Sequence, residues 1–351
     1  LSQDLTIAES DTFLIDENTL LDINPDVQIT IAGTLTADAD MIWITSSVDD
    51  NTHPFGAIVF EENATGYLRN VRIDRGKGIV VGTADFEMQN CSMTYHNKVP
   101  ATYGTLTFLK GSPLVNGSDF IKNYVPAFVT KANATPTLSN NYLEQNTLLN
   151  SPRPQIELAQ NTNDTIHVIN NVIVGHPMMT QVGGILVSAP LGETSNFVID
   201  GNTIRGNRYG ISILGANASG HIRNNIIEDN DIHFNPAIAG SGILLEATGA
   251  PTMNITASGN QIRRNLRGIT LTGQARIDLG HSDGPAIIGG GNIFAENVGE
   301  GNTYALYNDT PHPVSALFNC WIEGVLATPE QVESVIVHQV DNAALGPVDF
   351  T

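Results

Sequence analysis

The sequence predicts an all-β, single-domain solenoid in which short coils stack as a parallel β-helix. Two observations carry this expectation, a recurring hexapeptide and a Gly-led apolar alternation that follows most of its copies. The hexapeptide has Asn, any residue, Ile/Leu/Phe, two residues, then Asn. It occurs as NYLEQN from Asn141, NTIRGN from Asn202, NIIEDN from Asn225, NQIRRN from Asn260 and NIFAEN from Asn292. SDFIKN from Ser118 and NVIVGH from Asn171 are imperfect copies. Successive copies are 23, 30, 31, 23, 35 and 32 residues apart, as a fixed coil with loops of changing length requires.

The second signal is GILV from Gly184, GISI from Gly210, GILL from Gly242 and GITL from Gly268. Period-two alternation over so few residues marks a short strand with one buried face. Each repeat then supplies about three strands: one ending before the first Asn, as in FVID, one carrying Ile204, and one after Gly210. Such a unit cannot bury its own apolar face, so neighbours must stack and share a core. Composition agrees, with only 15% charged and 6% aromatic residues and 33 glycines, a mixture suited to short strands and turns.

Over nearly its whole length the chain resembles the right-handed parallel β-helix proteins of the pectate-lyase-like superfamily, particularly bacterial secreted and cell-surface members. LLDINPDVQITIAGTLTA from Leu20 is similar to their entry segment, and GAIVFEENATGYLRNVRI from Gly56 to a first full coil. NCWIEG from Asn319, the helix-like PEQVESVIV and LGPVDF from Leu345 resemble their closing element, with Ile322 where a Gly is usual. The resemblance implies about ten coils and three regions: an entry and cap over 1–55, coils over 56–318, and a helix-containing C-terminal cap over 319–351. Both ends are expected to be capped.

Adjacent coils lie about 4.8 Å apart, so equivalent residues stack. The first-column asparagines, Asn141, Asn171, Asn202, Asn225, Asn260 and Asn292, are expected at sharp bends in the left-handed conformation. Their amides would bond those above and below as an asparagine ladder. Cys91 and Cys320 lie about eight coils apart, nearly 40 Å at ~4.8 Å per coil, and cannot pair.

The acidic excess, 36 against 16 basic residues and a formal charge of −20, argues against nucleic acid as a partner. It makes calcium plausible company. No apolar run approaches the ~18 residues that a membrane-spanning helix needs. The sequence begins at Leu1 without Met or a signal-like segment, which fits the expectation of a mature extracellular or cell-surface protein with its signal peptide removed.

Functional chemistry has few places to go. Seven of the eleven arginines fall between Arg205 and Arg276. Stacking should place Arg205 and Arg263 on either side of Glu228, and Arg264 beside Asp229. Either these are ion pairs on a solvated face, or Arg205, Arg208, Arg263 and Arg267 bind an anionic or hydroxyl-rich polymer. The insertion EDNDIHFNPAIAG from Glu228 offers Glu228, Asp229 and Asp231 as calcium ligands. It also offers Asp229, Asp231, His233 and Arg264 as catalytic groups. DLGHSDG, with Asp278, His281 and Asp283, is a weaker candidate.

The signatures of polygalacturonases and of alginate epimerases are absent, and pectate-lyase chemistry could be imitated by Asp229, Asp231 and Arg264 without any motif match. The leading expectation is a monomeric, non-catalytic module that binds polysaccharide or a cell-surface glycan, or serves as an adhesive or structural domain. The alternative is a polysaccharide lyase or glycoside hydrolase.

Overall fold

The computed structural model describes every residue except 162–163, 190–191, 237 and 250–251. Among the described residues there is a long series of short strands and one helix of five residues. Contacts gather into two compact units, Leu1–Ala159 and Gln160–Thr351. Each is a stack of coils joined by parallel pairing.

The second unit shows the repeat most plainly. Each coil has three strands, as in Thr194–Asp200, Thr203–Arg205 and Ile211–Leu214, followed one coil on by Asn217–Arg223, Ile226–Glu228 and Ser241–Ala247. The register is strict: Ile204 pairs with Ile227, Ile227 with Ile262 and Ile262 with Phe294. All four side chains are at least 99% buried and form one row of the core. Ile211, Ile243, Ile269 and Leu306 form another. Every such side chain is worth about 1.5–3 kcal/mol on burial, and the row exists only because a neighbouring coil covers it.

The glycines that open the third strand have a steric cause. A Cβ on Gly210 would lie 2.5 Å from the Gly242 carbonyl oxygen, and one on Gly242 would lie 2.8 Å from that of Gly268. The coils approach too closely there for any side chain.

The asparagines form two ladders in this unit, not one. In the first, the backbone N–H of Asn171 donates to Asn202 Oδ1 (2.8 Å), Asn202 to Asn225 (2.9 Å), Asn225 to Asn260 (3.1 Å) and Asn260 to Asn292 (3.1 Å). The closing asparagines make the second: Asn207 donates to Asn230, Asn230 to Asn265 and Asn265 to Asn297, each at 3.1 Å. The ladder residues are not themselves left-handed. That conformation belongs to the residue before each: Asn170, Gly201, Asn224, Gly259 and Gly291 in one column, and Gly206, Asp229, Arg264 and Glu296 in the other. The left-handed residue makes the bend, and the next residue turns its side chain inward onto the stack.

The first unit follows the same plan with substitutions. Cys91 N–H donates to Ser118 Oγ and Ser118 N–H to Asn141 Oδ1, both at 3.0 Å. In the second column His96 N–H donates to Asn123 Oδ1 (3.0 Å), and Asn123 Nδ2 to Asn146 Oδ1 (2.7 Å). Parallel pairing already begins at Leu5, where Leu5–Ile7 lies against Ile29–Ile31 and these against Ile58–Phe60. Leu5–Ile7, Thr12–Ile15 and Thr19–Ile23 each pair on one side only. Residues of the entry region thus already form coils of the stack.

At the other end the helix is limited to Pro329–Glu333, started by a Thr328/Gln331 capping box with Pro329 at its first position. Ile336–Val337 and Val348–Asp349 then add parallel strands to Leu306–Tyr307 and Val314–Ser315. Trp321 stacks on Phe294, with ring centroids 5.1 Å apart, and closes the core.

Candidate functional site

The face that carries the second strand of each coil holds most of the predicted charges. Register places Glu228 between Arg205 and Arg263, as the repeat predicts. The side chains choose other partners. Arg264 Nε and Nη2 donate to both oxygens of Asp229 (2.7 and 3.0 Å), and Nη2 also reaches Glu228 (2.7 Å). Hydrogen bonds to Asp229 first, and then Glu228, raise the pKa of an already permanent cation. Arg263 instead grips Glu323 of the closing segment, and Arg223 bonds Asp200 (2.8 Å). Arg205 is exposed on this face. A hollow of about 510 Å³ lies beside Arg263, Arg264, Glu296 and Glu323, but both of its arginines are already ion-paired.

This geometry changes the reading of the insertion that follows. Asp229 and Glu228 face Arg264, so they do not gather with Asp231. Among the described residues no three His, Cys, Asp or Glu side chains are placed to hold a metal ion. The calcium set Glu228, Asp229 and Asp231 is thus not assembled, because an arginine one coil away takes two of its members. Asp231 is half-buried, and desolvation raises its carboxyl pKa, with the charge of Asp229 adding to the effect. The buried Nδ1 of His233 has no hydrogen-bond partner. The proposed catalytic group thus contains an arginine whose donors are engaged. In the weaker candidate His281 Nδ1 lies 2.6 Å from Asp278 Oδ2, at the base of an antiparallel hairpin, Asp278–Asp283 with Ala286–Ile288. Asp283 is exposed near the hairpin tip.

A different arrangement occupies the outer face of the Gly-led strands. There the inward residues alternate with two outward rows. Ser212, Leu244, Thr270 and Tyr307 align in one, and Leu214, Glu246, Thr272 and Asp309 in the other. Arg208 and Arg267 lie just before these strands, and the insertion supplies Pro236 and Ile238 as a wall. Together they bound an open groove of about 500 Å³.

Both arginines are held from the protein side. The Arg267 guanidinium lies over Tyr307, its Cζ 3.8 Å from the ring centroid, with Tyr304 at 5.6 Å. Arg208 Nη2 donates to the Ile238 carbonyl (2.9 Å), tying the insertion to the groove. The Ser241 and Thr270 hydroxyls bond each other on the floor (2.8 Å). Among the described residues, neither arginine has an ion-pair partner, and neither do Glu246 and Asp309. Of the four predicted polymer-binding arginines, the structure brings Arg208 and Arg267 together and leaves Arg205 and Arg263 on the other face.

Glu246, Tyr307 and Asp309 were not singled out from sequence. The available signal was the alternation itself: in GILLEA and in LYND, the residues between the buried ones must face out, and they are a carboxylate, an aromatic and a carboxylate.

No curated protein and no solved structure shows a significant match to the chain. The family profile described as the right handed beta helix region does match, over residues 38–190 and again over 190–283, well over half of the 351 residues. It spans coils of both units, including the asparagine columns as far as Asn260 and Asn265 and most of the groove-bearing strands. With stacked three-stranded coils and parallel register already described, the chain belongs to the right-handed β-helix family.

Proposed function

We propose that the protein is a binding module for an extended, hydroxyl-rich polymer, a polysaccharide or surface glycan, held in the groove of the Gly-led strands. One observation carries this reading. Arg208 and Arg267 line a common open groove without a carboxylate partner, whereas Arg223, Arg263 and Arg264 are each neutralised by one. Planar guanidinium groups held in place by a carbonyl and a tyrosine ring are suited to oxyanions and vicinal hydroxyls. Thr272 adds a hydroxyl along the floor, beside the buried Ser241–Thr270 pair. Such a face has use where polysaccharide is met, at the cell surface or beyond it.

The lyase or hydrolase alternative loses its strongest residue, since the Arg264 donors are committed to Asp229 and Glu228. The test is glycan binding by calorimetry or retention, with turnover followed alongside. Arg267→Ala and Arg208→Ala should each weaken binding about tenfold, the lower range for a hydrogen bond to a charged group. Arg264→Ala should not produce or abolish any turnover. If both groove variants bind like the parent protein, the groove is not the site.

A further inference from the structure

The groove carries two kinds of unpaired charge, and they sit on opposite sides. Arg208 and Arg267 lie at the leading edge of the strands, while Glu246 and Asp309 belong to the row at the far edge. In the strand Arg267–Gly273, Arg267 precedes by five residues the Thr272 that pairs with both Glu246 and Asp309. At about 3.3 Å per residue the two edges are about 16 Å apart along the backbone, but the Arg267 guanidinium reaches over Tyr307, two residues from Asp309.

On the neighbouring face Arg263 and Arg264 have closed onto carboxylates, while Arg205, beside Glu228 in register, has not. The groove keeps its opposite charges open and without an ion pair among the described residues. Glu246 also lines an adjoining hollow of about 220 Å³ beside Ser188 and Gly215, so the trough continues past the acidic edge. The protein as a whole carries −20, and this field opposes a polymer that is anionic throughout.

Resting on the groove reading above, we infer that the ligand is amphoteric: a glycan with carboxylate groups for Arg208 and Arg267, and free ammonium groups for Glu246 and Asp309. A polymer of uronate and unacetylated amino sugar has this chemistry. The arginine edge takes its oxyanions, the acidic edge takes its ammonium groups, and the hydroxyl-bearing floor takes the rings between.

The experiment uses one polymer in two forms, an alternating uronate–glucosamine chain with free amines and the same chain fully N-acetylated. Calorimetry at low salt should show the free-amine form bound at least about tenfold more tightly, one charge-assisted contact's worth. In the exposed-site double variant Glu246→Gln/Asp309→Asn this preference should collapse to within about twofold, a difference too small for such a contact. Equal affinity of the parent protein for the two forms overturns the inference and leaves the groove reading standing. So does an amine preference that survives in the double variant. Failure to bind either form removes the groove reading and this inference with it.

Discussion

A buried asparagine amide has two donors and an oxygen with two lone pairs, and leaving any of them unmet costs about 1–3 kcal/mol. Asn230 meets all four. Its Oδ1 accepts from the backbone N–H and Nδ2 of Asn207, while its Nδ2 donates to Asn265 Oδ1 and to the Ile204 carbonyl. Asn230→Ala would orphan groups on both neighbouring coils. It should lower unfolding stability by about 2–4 kcal/mol in urea melts, more than any single exposed ion pair here can contribute. His96 in the other unit occupies a ladder position with different chemistry. Its Nδ1 lies 3.2 Å from the Gly78 amide nitrogen and 3.1 Å from the Gly76 carbonyl, and its Nε2 lies 3.2 Å from the Ile73 carbonyl. Complete burial pushes its pKa down to about 4, against smaller upward effects from those carbonyls and Asp74. The unfolded chain takes up this proton near pH 6.5 and the folded chain only near 4. The stability associated with the neutral ring is therefore full above about 6.5 and is lost as pH falls toward 4, by up to about 3 kcal/mol. His96→Asn, which places the residue of the next two rungs at this position, should flatten that part of the stability–pH curve relative to the parent protein. An unchanged slope would show that the carboxylates govern it.

At the scale of the coil, the turn between the second strand and the closing ladder residue needs one left-handed residue. Gly206 fills it at no cost, Asp229 at φ 56° and Arg264 at φ 50° at some cost. Arg264→Gly removes an exposed clamp worth about 0–1 kcal/mol and relieves a strain of about 1 kcal/mol. The variant should melt within a few degrees of the parent and bind glycan as before. Arg264→Val, β-branched and equally uncharged, should be clearly less stable. This turn also shows how far the sequence could be read. The hexapeptide displays both asparagine columns, yet only its first Asn was expected to form a ladder, because one column already explains a stack. The position of the bend was misjudged by one residue, since side-chain identity does not say which of two neighbours carries the positive φ. The flanking of Glu228 by Arg205 and Arg263 was legible because register follows from the repeat. The partner of Arg263 was not, because Glu323 lies 60 residues away and arrives only through the closing segment. The groove was half legible. Its arginines stand out in a chain with few of them, whereas its carboxylates sit in strands whose sequence signal is the buried face.

For the whole molecule, charge is the dominant fact. Thirteen acidic residues precede the first Lys or Arg, Arg69, and six of them fall within residues 1–23, in the coil whose outer strand edge has no neighbour among the described residues. Like charges along such an edge discourage two copies from pairing there. The same excess shapes encounter with a polymer. A carboxylate-only chain is attracted by two arginines but repelled by a net −20, and salt screens both. Its association rate should accordingly stay level, or rise, as salt goes from about 20 to about 150 mM, where the Debye length shortens toward ~8 Å. A steep fall would mean that the arginines dominate the field. The two asparagine columns have a last implication. Their steps agree coil by coil, 23 residues for both Asn202 to Asn225 and Asn207 to Asn230, then 35 for both of the next pairs and 32 for the pairs after. All variation in length falls outside the hexapeptide, so a stretch such as 202–224 already contains everything one layer needs at its upper and lower boundary. Copied in frame, it would present the same donors to the layer above and the same acceptors to the layer below. Length in this protein behaves as a copy number, which a duplication or deletion in the gene can change one layer at a time without redesigning any contact.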